Sequence, residues 1–545
     1  MSKVASNASS TDAAKLGGRA AWIALILVSL TQAMSMVDRQ ILAILVPHIE
    51  RDLGIARAEI GLLYGTVFAL FYAIFSLPLG RLADGWVRTR LLSISIIAWS
   101  GATALAGTAN SFAMLALSRL GVGIGEASVQ PAGLSLLADS FPREKRGMIT
   151  AWIAAATALG LGGAIVMGGL SAEWWNNAWP AGEAPLGLRG WQFAFLTAAI
   201  PGLILGWFLA RMPEPTRGAA DGVASKADPR PFGAAWDTLL AILPILCWIN
   251  FSRRRASAAL WLANLAGLAS IVAAAVALTL WTESLRPHVP PLHLFGLTVS
   301  GSALQWSIAG LGAYVLLNWL QATSLTDRPA FAVIARAPAV WLVIGVASLQ
   351  SVVNYGVMGW TPTFIVQHFQ QSQASTALHF GLLSAVIGVA GALIAGPISD
   401  WACKRWAGGR VWVTLFSLGV SPFLGFITYR APDVTSFYLW FVLYSIVLCA
   451  WLPPVYATLL DLVLPRMRGV VMSFYILAQT IVGLGVGPYM VGLISDLNGG
   501  DLGSAILSVY WFGPPIVIFL IILIRQLPRD EARLIQRARD AGEPV

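Results

Sequence analysis

The chain has 545 residues, of which 57% are hydrophobic and only 11% charged, and its mean hydropathy is +0.72. That composition excludes a soluble globular protein and leaves an integral membrane protein built from apolar helices. The net charge of +9 does not call for a nucleic-acid partner, because it follows from the sorting of basic residues across a bilayer.

Residues 1–17 are polar and are expected to be disordered. The first apolar run, 20–46, is too long for a cleavable signal and lacks a small-residue cleavage site. It carries Asp38 and Arg39 in its interior, where an ionisable residue costs about 2.5–3.5 kcal/mol and so normally faces a partner or a water-filled path. The second run, 57–79, leads into Gly80-Arg-Leu-Ala-Asp84, with Arg88 just beyond. After a third run at 90–108, the fourth, 111–137, holds Arg119 and Glu126 among Gly121, Gly123 and Gly125. Runs at 148–170 and 190–211 complete a first set of six helices. The connector from Ser171 to Gly190 contains Trp174, Trp175 and Trp179, which read as anchors at the membrane surface.

The next apolar stretch, Trp236 to Trp248, is bounded by Pro231 and by Arg253, Arg254 and Arg255. It is short for a crossing, and a crossing here would carry three arginines to the far side, so an interfacial helix is expected. Two full runs follow at 258–281 and 296–320, then six more at 339–366, 377–399, 410–429, 434–461, 469–494 and 503–525, giving fourteen spans. The chain thus divides into 18–212, an N-terminal six-helix bundle; 213–336, a linker with the interfacial and two inserted helices; 337–527, a C-terminal six-helix bundle; and 528–545, a basic tail. Of 35 Lys and Arg, 28 then fall on the side of the N-terminus, five on the other and two within the membrane. Both termini are therefore expected in the cytoplasm, in a multi-pass protein of a bacterial inner membrane. Cys247, Cys403 and Cys449 have neither metal nor redox spacing, so no cofactor or metal is expected.

The two six-helix sets repeat one another. Gly80 to Asp84 returns as Gly396-Pro-Ile-Ser-Asp400, followed by Arg405, and Pro131 to Pro142 with Arg146-Gly147 returns as Pro454 to Pro465 with Arg468-Gly469. Two six-helix halves with a binding site near the membrane midplane are the plan of the major facilitator superfamily, which the chain resembles over nearly all its length. Gly80 to Arg90 looks like the family's loop motif, with Asp84 and Arg88 in place but Gly85 and Val87 where a basic residue and a glycine are usual. By that resemblance Gly80, Asp84, Arg88, Asp400 and Arg405 form conformational latches. Within the superfamily, Asp38-Arg39-Gln40-Ile41, Gly121 to Pro131 and Pro453 to Gly487 are similar to the spinster group, whose animal members export sphingosine-1-phosphate or lysophospholipids. The resemblance implies that Asp38 and Glu126 are protonating carboxylates and that Arg39 exchanges between a carboxylate and substrate. The inserted pair departs from the group's twelve-helix plan, and its plain reading is a lipid-facing buttress.

At 1.5 Å per residue, Asp38 and Arg119 come out level, roughly 12 Å from the outer ends of their helices, and Glu126 about 22 Å in. Asp38, Arg39, Arg119 and Glu126 are therefore expected to form one buried network, with its pairings open; the alternative is a static neutral cluster that fixes packing. The seventh helix of the plan, 339–366, has no ionisable group in its middle. Substrate lining there falls to Gln350, Asn354, Tyr355 and Trp360, joined by Tyr444, Tyr456, Tyr475 and Gln479, of which about a third are expected to touch substrate. The chain shows no nucleotide loop, metal spacing or nucleophile–base pair, so an enzyme is not expected. The expected function is a monomeric, proton-coupled secondary transporter for an amphipathic or lipid-like organic anion, with a proton symporter of a soluble organic acid or aromatic catabolite as the alternative.

Overall fold

The structure, a computed structural model, describes residues 16–179, 183–218, 229–406 and 408–543. Nearly all of the segment expected to be disordered lies outside the described residues. Among the described residues, fourteen helices are long and apolar enough to cross a membrane. The first six are α1 (Arg19–Leu53), α2 (Arg57–Gly85), α3 (Arg88–Ala106), α4 (Phe112–Ser140), α5 (Arg146–Ala178) and α6 (Gly190–Arg211). A bent pair follows, α7 (Pro231–Ile242) and α8 (Leu246–Arg253), and then α9 (Ala258–Leu285). A small hairpin, β1 (Leu292–Leu294) and β2 (Leu297–Val299), leads to α10 (Gly301–Thr326) and the short α11 (Arg328–Ala335). The last six spans are α12 (Pro338–His368), α13 (Gln373–Arg405), α14 (Gly409–Tyr429), α15 (Val434–Asp461), α16 (Pro465–Leu497) and α17 (Leu502–Ala532), and α18 (Leu534–Asp540) closes the chain.

The repeated prolines have a direct structural result. A proline cannot donate to the carbonyl four residues back. The carbonyl freed by Pro131 is that of Ala127, and α4 is interrupted at Ala127–Ser128, immediately after Glu126. The carbonyl freed by Pro454 is that of Ala450, and α15 is interrupted at Ala450–Trp451, immediately after Cys449. The same break recurs in both halves, beside a carboxylate in one and a thiol in the other.

By contacts the chain forms two units that cut across the sequence halves. The first contains residues 16–45, 75–238 and 373–389. Its core joins α1, α3, α4 and α6 through Leu25, Leu92, Ile96, Trp99, Leu136 and Leu209, all buried. Here α5 meets the start of α13 at backbone range, since a Cβ on Gly381 would stand 2.8 Å from the Gly162 carbonyl oxygen. That stretch of α13, Ala377–Gly381, is a π-helical turn, a local widening that turns its face.

The second unit contains residues 46–74, 239–372 and 390–543. Two further π-helical turns, Leu62–Val67 in α2 and Thr480–Leu484 in α16, meet at backbone range, where a Cβ on Gly65 would overlap the Leu484 carbonyl oxygen. The stretch expected to be interfacial is α7 and α8, which meet at a 105° bend. The bend is held by Asn264 of α9, which accepts hydrogen bonds from Trp248 Nε1 (2.9 Å) and Tyr314 Oη (2.8 Å) and donates to Asn318 (2.8 Å) and Gln321 (2.7 Å).

The basic tail folds back within this unit. Arg537 donates to the Arg336 carbonyl at the end of α11 (3.2 Å), Asp530 accepts from Ala339 N (2.8 Å), and Arg466 pairs with Asp327 (2.7 Å) and Glu543. Hydrogen bonds from the Arg466 guanidinium hold the Asp327 and Glu543 carboxyls below their ordinary values of 3.8 and 4.5. Because both values are depressed on docking, their contribution is complete above the ordinary values and is lost as pH falls through the lower docked ones. The protection factors of the α18 amides are therefore expected to hold at pH 5 and to fall below about pH 4, and Arg466→Ala is expected to lower them modestly and to remove that step, because the Arg537 contacts remain.

Candidate functional site

The charged residues of α1 and α4 converge inside the first unit. Asp38 and Arg39 are adjacent, so they leave α1 about 100° apart around the helix axis. Arg39 turns toward α4 and pairs with Glu126, Nη2 to Oε2 at 2.9 Å. Ser35, one turn earlier, donates to the same Oε2 at 2.8 Å. Glu126 Oε1 is buried and has no hydrogen-bond partner among the described residues. The carboxylate thus takes both donors on one oxygen and leaves the other without one.

Asp38 turns the other way, toward α3. Its carboxylate accepts from Trp99 Nε1 (3.0 Å) and Thr103 Oγ1 (2.8 Å), and it is fully buried. Trp99 can stand there because α4 has Gly125 opposite, where a Cβ would lie 2.7 Å from that of the tryptophan. Arg119 is level with Asp38, as helix depth implies, but donates from Nη1 to the Asp38 backbone carbonyl (2.7 Å). Its guanidinium faces the Phe195 ring at 5.3 Å, and its Nε and Nη2 are buried without a hydrogen-bond partner among the described residues. The one arginine–carboxylate bridge in this cluster, among the described residues, is therefore Arg39–Glu126. Breaking a buried pair of this kind costs about 3–5 kcal/mol, so it exchanges only if a new partner arrives.

The loop motif is wired differently from its sequence neighbours. Arg88 is buried and bridges Asp139 at the end of α4 (2.5 Å) and Glu214 after α6 (2.7 Å), with further bonds to Ser135 and the Pro215 carbonyl. Near Asp84 it is Arg217 that closes the end of α2, donating to the carbonyls of Ala83 (2.7 Å), Asp84 (2.6 Å) and Trp86. Those are the carbonyls a helix end leaves without partners, at the negative end of its dipole. Gly80 lies against Pro131. In the second unit, Asp400 is 3.9 Å from Arg410, which also pairs with Asp461, whereas Arg405 lies over the Trp401 ring at 5.8 Å. Among the described residues neither Arg88 with Asp84 nor Arg405 with Asp400 forms an ion pair.

The set expected to line a substrate path separates. Gln350 donates to Asn354 (3.0 Å), and Tyr456 lies against Tyr475 with ring centroids 5.0 Å apart and within reach of Gln479 and Tyr355. Trp360 instead donates to the Pro488 carbonyl (2.9 Å) and is buried between α12 and α16. Tyr444 joins an interior aromatic cluster with Phe441 and Tyr510. Both side chains are buried against neighbouring helices. Trp99 and Thr103 were not anticipated, since a tryptophan and a threonine in an apolar run carry no signal of their own. A second charge network, Glu59 with Arg286 and Asp496, was not anticipated, because each member lies at a helix end, where charge is ordinary.

Residues 28–488 match the family model described as the Major Facilitator Superfamily. An MFS-type efflux pump of Mycolicibacterium smegmatis is 23% identical over 492 residues, covering 90% of this chain and 88% of that protein. A probable L-galactonate transporter of Escherichia coli is 28% identical over 302 residues, covering 53% of this chain and 62% of its own length. The crystal structure of a bacterial homologue of the human lysosomal transporter Spinster, 20% identical, superposes with a TM-score of 0.64 over 95% of this chain and 98% of the other.

Proposed function

The chain belongs to the major facilitator superfamily and is a multi-pass membrane transporter rather than an enzyme; from that premise we propose that it works by alternating access, couples transport to protons, and carries an amphipathic or lipid-like organic anion. The observation that carries this reading is the Arg39–Glu126 pair, buried in the first unit with one carboxylate oxygen left over. An arginine held by a carboxylate in an apolar interior is exchangeable for one kind of partner, another anion. When substrate takes Arg39, Glu126 is left without its counter-charge and takes up a proton; when substrate leaves, the pair re-forms and the proton goes. Asp38, held by two neutral donors, is the proposed second protonation site, and Arg119 fixes the depth of α1 through the Asp38 carbonyl. The tyrosine, glutamine and asparagine side chains of α12 and α16 are the proposed neutral contacts.

Several coarser features of the notional transport cycle belong to the same proposal: both termini in the cytoplasm, a monomer, and the Arg88 cluster as the latch of the first unit. The galactonate transporter among the relatives keeps a soluble hydroxy acid as the second reading, because the same arginine and carboxylates would serve it. Binding to the folded state raises its stability by mass action. Purified protein is therefore expected to gain thermal stability with lysophospholipids or sphingoid phosphates, and Arg39→Ala to lose that gain. Stabilisation by small hydroxy acids alone would transfer the protein to the second reading, and stabilisation by neither class would remove the anion proposal.

A further inference from the structure

We propose that the segment inserted between the two halves is a strap that holds the seam between α2 and α16 closed on the predicted outer side, with Arg286 as its clasp. Arg286 follows α9 directly and its side chain is only 4% exposed. It donates from Nη1 and Nη2 to the two oxygens of Glu59, at 2.9 and 3.0 Å, and from Nη2 to Asp496 at 3.1 Å. Glu59 belongs to the first turn of α2 and Asp496 to the last turn of α16, so one guanidinium from the insertion ties two helices of the transport core. Asp496 also accepts from the backbone N–H groups of Arg57 (3.2 Å) and Ala58 (3.0 Å), which places its charge on the positive end of the α2 dipole.

The grip continues along α10. Ser302 and Trp306 both reach Tyr489 of α16, by a hydroxyl contact at 3.3 Å and a ring contact at 5.9 Å. Gln305 donates to the Gly485 carbonyl (2.9 Å), where the α16 backbone leaves its π-helical turn, and accepts from Thr66 of α2 (2.5 Å). A buttress that only faced lipid would keep apolar side chains toward the core. It would not bury an arginine against carboxylates from two other helices, because each of those charges is costly without the others. The backbones of α2 and α16 also approach closely at Gly61, Gly65 and Gly492, so opening the seam means separating surfaces that the strap bridges.

The test is accessibility of a cysteine placed in the seam. Ala58 is fully buried, and Ala58→Cys in a background with Cys247, Cys403 and Cys449 replaced is expected to react slowly with a membrane-impermeant maleimide supplied to either face of oriented vesicles. Adding Arg286→Gln is expected to speed labelling at least ten-fold from the predicted outer side, because the Glu59 and Asp496 carboxylates are left buried without the guanidinium that pairs with both. Gln305→Ala breaks the second grip without stranding a charge and is expected to give a smaller rise, so the proposal survives a failure of the first variant to fold. Labelling equal to the parent in every variant that folds would overturn the strap. Because no substrate is used, that failure would leave the transport reading standing, and a failure of the transport reading would leave the labelling result intact.

Discussion

Glu126→Gln is expected to remove most of the pH dependence of transport, Asp38 supplying the remainder, and to cut the proton-driven rate at least ten-fold. The neutral amide keeps the shape of the carboxyl and can still accept from Ser35 and Arg39 through its oxygen, so the fold should persist. What it cannot do is change charge. Arg39 would face a permanently neutral partner, and a substrate anion would no longer have to displace a carboxylate to reach it. Binding in a stabilisation assay is therefore expected to tighten or hold while transport coupled to a proton gradient is lost, because the gradient acts only through a group that titrates. A ten-fold loss corresponds to about 1.4 kcal/mol of coupling, well within the roughly 3–5 kcal/mol at stake when a buried pair is broken. Undiminished pH dependence in Glu126→Gln would remove Glu126 from the proton path.

Arg88→Ala is expected to be the most destabilising single change in the first unit. The guanidinium is buried and bonded to Asp139, Glu214, Ser135 and the Pro215 carbonyl. Its removal leaves the Asp139 and Glu214 carboxylates without their hydrogen-bonded cation and with only Arg217 nearby, a loss of up to about 3–5 kcal/mol. Arg88→Lys retains the charge but not the planar fork that reaches two carboxylates and a carbonyl together, so it is expected to recover only part of the loss. The measurement is the midpoint of thermal unfolding in detergent: a large drop for alanine and an intermediate one for lysine. Equal midpoints for all three proteins would mean that the cluster holds no conformation together and would remove it as the latch of the first unit.

What was legible in the sequence follows from the solvent. A bilayer makes every intramembrane charge conspicuous, so Asp38, Arg39, Arg119 and Glu126 stood out against their apolar runs, and the internal repeat gave the two-bundle plan. Pairing was not legible, because Asp38 and Arg39 share a position in sequence and point to different helices. Nor could depth along a straight helix identify Trp99 and Thr103 as the partners of Asp38, since that requires the rotation of α3. Around Arg88 the partners were not legible either, since the fold brings Asp139 and Glu214 from residues far along the chain. The break beside Glu126 was readable in principle: Pro131 and Pro454 mark it by the carbonyls they leave free. Arg286 carries no signal in the sequence, because an arginine just past a helix end usually lies in water or among lipid headgroups, and only the tertiary fold reveals that two carboxylates enclose it.

The most direct test of proton-coupled anion transport is a flux measurement in proteoliposomes that carry a pH-sensitive dye inside. The anion that stabilises the purified protein is added outside with no initial pH gradient. The account predicts a substrate-dependent change in internal pH that is largely absent with Glu126→Gln. Substrate movement at the normal rate with no change in internal pH would contradict it.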